Sequence, residues 1–372
     1  SAQMSYVPAN LYKYMSFFIQ LEDQPAELQA VKSESYPPQN GWSVLDSTVG
    51  LGPFELQTDA GLTLPFNLHQ NDLVNAPFTT LGFSRNDGSY VQMVNATPTG
   101  LISVEEPIKM LDEGSHFYGF VELPRSLGAV YWDSNLQKLR MRQSWDEIGE
   151  DWRQESEMPA NWIDIGNNRP NGPIYMESKF AEPHLAYRDA NTGQLVLKVL
   201  GNGWVDEAPP ATTGYSPAIR QVMSASLLPG KALLWIPDDR TSVNLMLQGF
   251  PGDWMPETLA SLSAANAGEA GEGTEFDIYT GGAPSWDNYL VFIQGGHAYL
   301  LHSGASNLEA WSSPILIDGS GTCSNLKLIV VGSAEDFSFK LFATYLLEDG
   351  LGNAQICFRD MGLLKQESID GI

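Results

Sequence analysis

Six aspartates recur at one place in a repeated phrase. Asp23, Asp87, Asp133, Asp189, Asp238 and Asp349 each follow an aromatic residue by a few positions, where an extended run reverses. Carboxylates in such number suggest glycoside hydrolysis, which needs two of them facing one bond. One per phrase at a turn is a different arrangement, because an Asp there bonds its own backbone. The five histidines, His69, His116, His184, His297 and His302, lack the spacing of a zinc set. No nucleophile elbow, phosphate-binding loop, dinucleotide fingerprint or calcium loop is present, so neither a metal nor a cofactor is expected. What remains are polar residues outside any fixed motif: Arg220, His116 and Tyr118 as hydrogen-bond donors, with Tyr175, Glu177, Glu275 and Trp286 as the substrate-binding set. Such a set suits a reaction that needs little acid–base machinery, in which two reactants are held in register and one donor steadies a carbonyl oxygen.

The elements that must position these residues are read from His184 to Trp204, H-L-A-Y-R-D-A-N-T-G-Q-L-V-L-K-V-L-G-N-G-W. An extended run ending at Tyr187, a reversal through Asp189, Asn191 and Gly193, and a second run over Leu195 to Leu200 make a β-hairpin. The phrase returns around Phe18, Phe83, Tyr131, Trp235, Phe292 and Tyr345, and Trp42, Trp152, Trp204, Trp254 and Trp311 follow five of the hairpins. A further strand ahead of the later hairpins is marked by small opening residues: Gly114-Ser115-His116, Gly172-Pro173-Ile174, Ser216-Pro217-Ala218, Gly273-Thr274-Glu275 and Gly321-Thr322-Cys323. Four strands per period and seven periods predict an all-β chain, a seven-bladed β-propeller of four-stranded antiparallel blades forming one domain over 1–372. A pair of β-sandwiches is the competing architecture, but it does not call for one phrase in seven copies. On this reading His116, Tyr118, Tyr175, Glu177, Arg220, Glu275, Asp277, Cys323 and Asn325 stand on innermost strands around an axial mouth, the default place for a pocket. Arg220 then faces either that mouth or the neighbouring blade, where it pairs with Glu177 or Glu275.

Composition agrees with many short strands joined by turns, with 35 glycines and 23 prolines in 372 residues. The segment Met255 to Gly271 reads as an exposed excursion with one short helix, and residues 46–78 as a long connection that carries an inner strand and an overhanging loop with His69. The link from Met158 to Gly172 reads as a solvated loop with one docked indole, Trp162. A net charge of −25 repels phosphate backbones and anionic lipid, so nucleic acid and membrane are not expected partners. Cys323 and Cys357 fall on the first and third strands of the last copy, as a disulfide or as two buried thiols. Asn95-Ala96-Thr97 is a glycosylation sequon and points to the secretory pathway. A start at Ser1 without a charged-then-apolar leader fits a trimmed secreted protein and a cytoplasmic one equally.

The pattern of small-residue inner strand, aromatic hairpin and outer-strand Trp resembles the fungal fucose-binding propeller lectins. That resemblance implies the fold but not the sugar site. The position of the lectins' Arg, three residues before the hairpin aromatic, holds Met15, Thr80, Gly128, His184, Ala232, Tyr289 and Phe342, and their Glu position is aliphatic, as at Leu197 and Leu300. The chain also resembles a second group of fungal propellers, the hetero-Diels–Alder cyclases of tropolone sesquiterpene pathways. Membership there implies a cofactor-free cyclase that takes a small apolar polyketide or terpene at one pocket. A carbohydrate-binding lectin is the alternative, and a scaffold for protein partners the third reading.

Overall fold

The computed structural model describes residues 108–363 apart from short connections, and, ahead of residue 108, eight strand segments between Ala2 and Ser103. Every neighbouring strand pair is antiparallel, and each sheet is formed by strands consecutive in the chain. The first sheet takes β1 (Ala2–Tyr6), β2 (Met15–Gln20), β3 (Leu28–Ser33) and β4 (Trp42–Val44). The second takes β5 (Phe66–Gln70), β6 (Phe78–Arg85), β7 (Gly88–Thr97) and β8 (Gly100–Ser103), with β9 (Ile108–Asp112) also pairing β7. The third holds β10 (His116–Leu123), β11 (Ser126–Asp133), β12 (Lys138–Gln143) and β13 (Asp164–Gly166), and the fourth β14 (Tyr175–Glu177), β15 (His184–Arg188), β16 (Leu195–Leu200) and β17 (Trp204–Asp206). These four sheets lie in one compact unit, Ser1–Ala208.

The second unit, Pro209–Ile372, holds three more sheets. They are β18 (Tyr215–Met223), β19 (Pro229–Ile236), β20 (Val243–Gln248) and β21 (Trp254–Leu262); then β22 (Gly273–Tyr279), β23 (Asn288–Gln294), β24 (His297–Ser303) and β25 (Ile315–Asp318); and last β26 (Thr322–Gly332), β27 (Phe339–Glu348) and β28 (Ala354–Leu363).

The hairpin aromatics fall on the second strand of every sheet, and Tyr131, Tyr187, Trp235, Phe292 and Tyr345 are buried to 2% exposure or less. A second strand is covered on both faces, which is why β11 is buried along its whole length. Within each unit the core accordingly lies between consecutive sheets. Val130, Trp132, Leu139 and Met141 pack with Leu185, Tyr187 and Leu200; Leu234 and Leu245 pack with Leu290, Phe292 and Leu301; Val291 and Ile293 pack with Leu326, Tyr345 and Leu347. Each such side chain stabilises the stack by roughly 1.5–3 kcal/mol relative to exposure. Stacking is close enough to dictate Gly82, where a Cβ would fall 2.0 Å from the Phe117 ring.

Three of the turn aspartates behave as their position requires; at the Trp235 hairpin it is the neighbouring Asp239 that accepts the amide of Thr241, and Asp23 and Asp87 lie outside the described residues. One Asp133 carboxylate oxygen accepts the amides of Asn135 and Leu136, one of Asp189 accepts those of Asn191 and Thr192, and one of Asp349 accepts that of Leu351. A second device recurs on first strands, at the small opening residues in β18 and β22 and just beyond them in β10 and β26. A one-residue bulge interrupts β10 between Phe117 and Gly119, β18 between Tyr215 and Ala218, β22 between Gly273 and Glu275, and β26 between Ser324 and Lys327. Ser216 and Asn325 take the left-handed conformation there, with φ of 48° and 53°.

Several expectations are corrected. Five sheets are four-stranded, but the second has five strands and the last has three among the described residues. The long β7 explains the extra strand, since its far end pairs β8 while its near end pairs β9. His69 sits within β5, opposite Thr80, and not in an overhanging loop. The link after Met158 supplies β13, the outer strand of the third sheet, and one helical turn, α1 (Ala160–Ile163), while Trp152 makes only an isolated bridge to Ser144. Trp162 does dock, partly buried against the core. Of the expected excursion from Met255 to Gly271, Met255 to Leu262 belong to β21 and residues 265–271 lie outside the described residues; Pro256 is tolerated because this is an edge strand with a wide irregularity opposite Leu245 to Leu247. Cys323 and Cys357 are free thiols in one apolar cluster. They stand on β26 and β28 with β27 between them, and two strand spacings of roughly 4.8 Å exceed the reach of a disulfide. The sequon residue Asn95 lies inside β7, opposite Phe78 on one side and Ile102 on the other.

Candidate functional site

The residues expected on innermost strands stand on the first strands of their sheets, β10, β14, β18, β22 and β26, and each is engaged by the fold. In the second unit the guanidinium of Arg220 donates from Nε to the Ile278 carbonyl at 3.3 Å and lies 3.5 Å from Asp277. Burial lowers its pKa and the Asp277 charge opposes that fall; an Arg nonetheless keeps its proton. Arg220 therefore pairs with the neighbouring sheet of its own unit through Asp277. Glu275 and Asp277 accept the backbone amides of Leu326 and Leu328, both at 2.9 Å, so alternate carboxylates of β22 clip the first strand of the next sheet.

In the first unit His116 meets Tyr118 edge-on at 4.8 Å, and the Tyr118 hydroxyl donates to the Pro170 carbonyl at 3.3 Å. Tyr175 donates to the buried Glu177 carboxylate at 3.2 Å. Trp286 lies outside the described residues. These groups line first strands and tie them together; none opens a described cavity. Among the described residues no three His, Cys, Asp or Glu side chains converge as a metal set, and no helix is long and apolar enough to cross a membrane.

A cavity does open elsewhere, beside the third sheet. It measures about 380 Å³ and is lined by Met110 of β9, Arg142 of β12, and Gln154, Glu155 and Ser156 at the start of the 3-10 turn Glu155–Glu157. Register explains the convergence. On β11 and β12, Ala129 faces Arg142, Tyr131 faces Arg140 and Asp133 faces Lys138, so three cations share one face of the sheet. Arg140, 8% exposed, is held by Glu155 at 2.8 and 2.9 Å, by Asp164 at 3.1 Å and by Asp133 at 3.3 Å. Burial works against that charge, but the bonds to Glu155 and Asp164 outweigh it and raise the Arg140 pKa. The same contacts fix Glu155 at the cavity edge.

Arg142 is held differently. Its Nε donates to the Arg153 carbonyl at 2.8 Å and its Nη1 to the Met110 carbonyl at 3.3 Å. Nη2 makes no hydrogen bond among the described residues, and burial lowers the pKa of the group without discharging it. Gln154 and Ser156 stand exposed on the rim. The cavity thus offers a fixed cation with one unused donor, an amide and a hydroxyl that both donate and accept, a carboxylate, and one buried thioether. Sequence reasoning missed it. The signal was Lys138, Arg140 and Arg142 alternating along one strand in a chain with 20 basic residues against 45 acidic ones.

No family model matches the sequence, and no curated protein matches it. Solved structures do resemble it. A protein from Lactobacillus plantarum aligns over 95% of this chain and 97% of its own, at 7% identity and a TM-score of 0.57. BBS1N, from its complex with ARL6DN, aligns over 99% and 92%, at 8% identity and a TM-score of 0.54. The shared fold is the β-propeller. A six-bladed β-propeller, the fungal lectin of Aleuria aurantia, aligns over 82% and 97%, at 10% identity and a TM-score of 0.47.

Proposed function

We propose that this chain is a saccharide-binding β-propeller whose ligand enters the cavity of Met110, Arg142, Gln154, Glu155 and Ser156. The observation that carries the reading is the unused Nη2 donor of Arg142 beside the Glu155 carboxylate, in a cavity of about 380 Å³ with a mostly polar lining. A sugar ring presents alternating donors and acceptors with a less polar C–H face, and this cavity supplies partners for both with the Met110 thioether for the face. The carboxylate on the rim and the net charge of −25 disfavour an anionic ligand. The cyclase reading asked Arg220 to present its fork to apolar reactants, but its guanidinium bonds the Ile278 carbonyl and pairs with Asp277. The fucose-lectin arrangement is not invoked either, since His184 and Ala232 occupy its Arg position as buried residues. We further infer that the seven sheets are seven blades of one domain over 1–372.

Saturation-transfer NMR with methyl glycosides of glucose, galactose, mannose, N-acetylglucosamine and fucose tests the reading. At least one glycoside is expected to receive transfer from the wild type and to lose it in Arg142→Met, which keeps most of the stem while removing the donors. Transfer that survives in Arg142→Met, or none from any glycoside, overturns it.

A further inference from the structure

The cavity beside the third sheet brings together three groups of unlike bonding character. Arg142 can only donate. Its Nε and Nη1 are taken by the Arg153 and Met110 carbonyls, and Nη2, which makes no hydrogen bond among the described residues, is left for a ligand. Glu155, when ionised, can only accept. Its carboxylate has about four lone-pair sites, of which Arg140 takes one on each oxygen, at 2.8 Å and 2.9 Å, so acceptor capacity remains on a side chain that is 47% exposed. The turn that carries it is closed on itself, since the Glu157 carboxylate accepts the Gln154 amide at 2.6 Å and the Glu157 amide donates to the Gln154 carbonyl at 2.9 Å. Met110 supplies the third group, a thioether whose Sδ stands 3.9 Å from Arg142 Nη1.

A sugar hydroxyl both donates and accepts, and the Gln154 and Ser156 side chains, which do the same, suffice for it. A fixed donor with a thioether against it and a fixed acceptor in the same cavity match a different group. That group has an oxygen that only accepts, a methyl on the same carbon as the oxygen, and an N–H that only donates. We infer that the ligand is an N-acetylated amino sugar, its acetamido oxygen accepting from Arg142 Nη2, its methyl resting on Met110 and its N–H donating to Glu155. This inference rests on the saccharide reading given above and names the class of sugar. The acetamido group is neutral, so it meets a cation and a carboxylate without unbalancing either. A parent sugar with a hydroxyl in its place cannot match all three partners at once, and a polar group left unmatched beside the ligand costs affinity.

The probes are the methyl glycosides of N-acetylglucosamine, N-acetylgalactosamine, glucose, galactose and glucosamine, each titrated into the wild type by NMR. At least one acetamido glycoside is expected to bind roughly tenfold more tightly than its hydroxyl parent. Its acetyl methyl is expected to receive more saturation transfer than its O-methyl. Glucosamine keeps the nitrogen but lacks the carbonyl and the methyl, so it is expected to bind no better than glucose. If a hydroxyl or amino parent binds as tightly as the acetamido sugars, or if the acetyl methyl is the less saturated of the two methyls, the inference fails and the saccharide reading stands. If no glycoside binds the wild type, or if binding survives in Arg142→Met, both readings fall.

Discussion

Replacing Asp318 by Asn removes a charge that the second unit is built to keep. Asp318 ends β25, and its side chain is 4% exposed. Burial acts to raise its pKa, but the Ser320 hydroxyl and amide, the Tyr345 hydroxyl and Arg359 overcome that and hold it at about 2, against an ordinary value of 3.8. The sign follows: a carboxyl with a folded pKa below its unfolded one contributes stability fully above about pH 4 and loses it as pH falls towards 2. A shift of nearly two units at about 1.36 kcal/mol each makes the contribution about 2 kcal/mol. Urea unfolding followed by circular dichroism at pH 7, 5, 3 and 2 measures it in wild type and variant. The wild type is expected to be more stable by about 2 kcal/mol at pH 7, and the gap to shrink by most of that amount by pH 2. A gap of constant size would show that the Tyr345 and Ser320 bonds do not depend on the charge, and the reasoning from the hydrogen-bonded carboxylate would be refuted.

Arg220→Met is expected to cost about 1–3 kcal/mol by leaving Asp277 without its cation, and to leave glycoside binding unchanged, as unfolding curves and calorimetry will show. Arg140→Met strips the shared partner from Asp133, Glu155 and Asp164, so a loss of about 3–5 kcal/mol is expected, with weaker glycoside binding because Glu155 is released. Thiol titration in denaturant without reductant is expected to find both Cys323 and Cys357 reactive; a result of none would mean a disulfide that the register forbids. Calorimetry with fucose at several sites per chain is expected to be silent, since no repeated donor occupies the hairpin position that His184 and Ala232 fill.

The hairpin phrase was legible because its causes are local. The second strand is covered on both faces, so Tyr131, Tyr187 and Trp235 must be large and apolar, and the turn must close on an Asp such as Asp133 or Asp189 that bonds the next amides. First strands were legible in part for a similar reason, because small residues stand where a bulge bends β18 and β22. Outer strands were not. β13 has three residues and β9 pairs only the near end of β7, and which segment returns to an edge depends on the length of β7 and not on its own residues. The cavity was least legible of all. Arg142, Glu155 and Met110 come from separate elements, and only the register of β11 on β12 turns Arg140 and Arg142 to the same face. Arg220 shows the converse limit, since its strand was evident while its partner, Asp277, depended on how two sheets face each other.

The central claim is tested most directly by a crystal structure of the wild type grown with the strongest-binding methyl glycoside. The account predicts density for one sugar per chain in the cavity of Met110, Arg142, Gln154, Glu155 and Ser156, with an oxygen within hydrogen-bond distance of Arg142 Nη2. Density beside Arg220 instead, or at equivalent places on several sheets with that cavity empty, would contradict it.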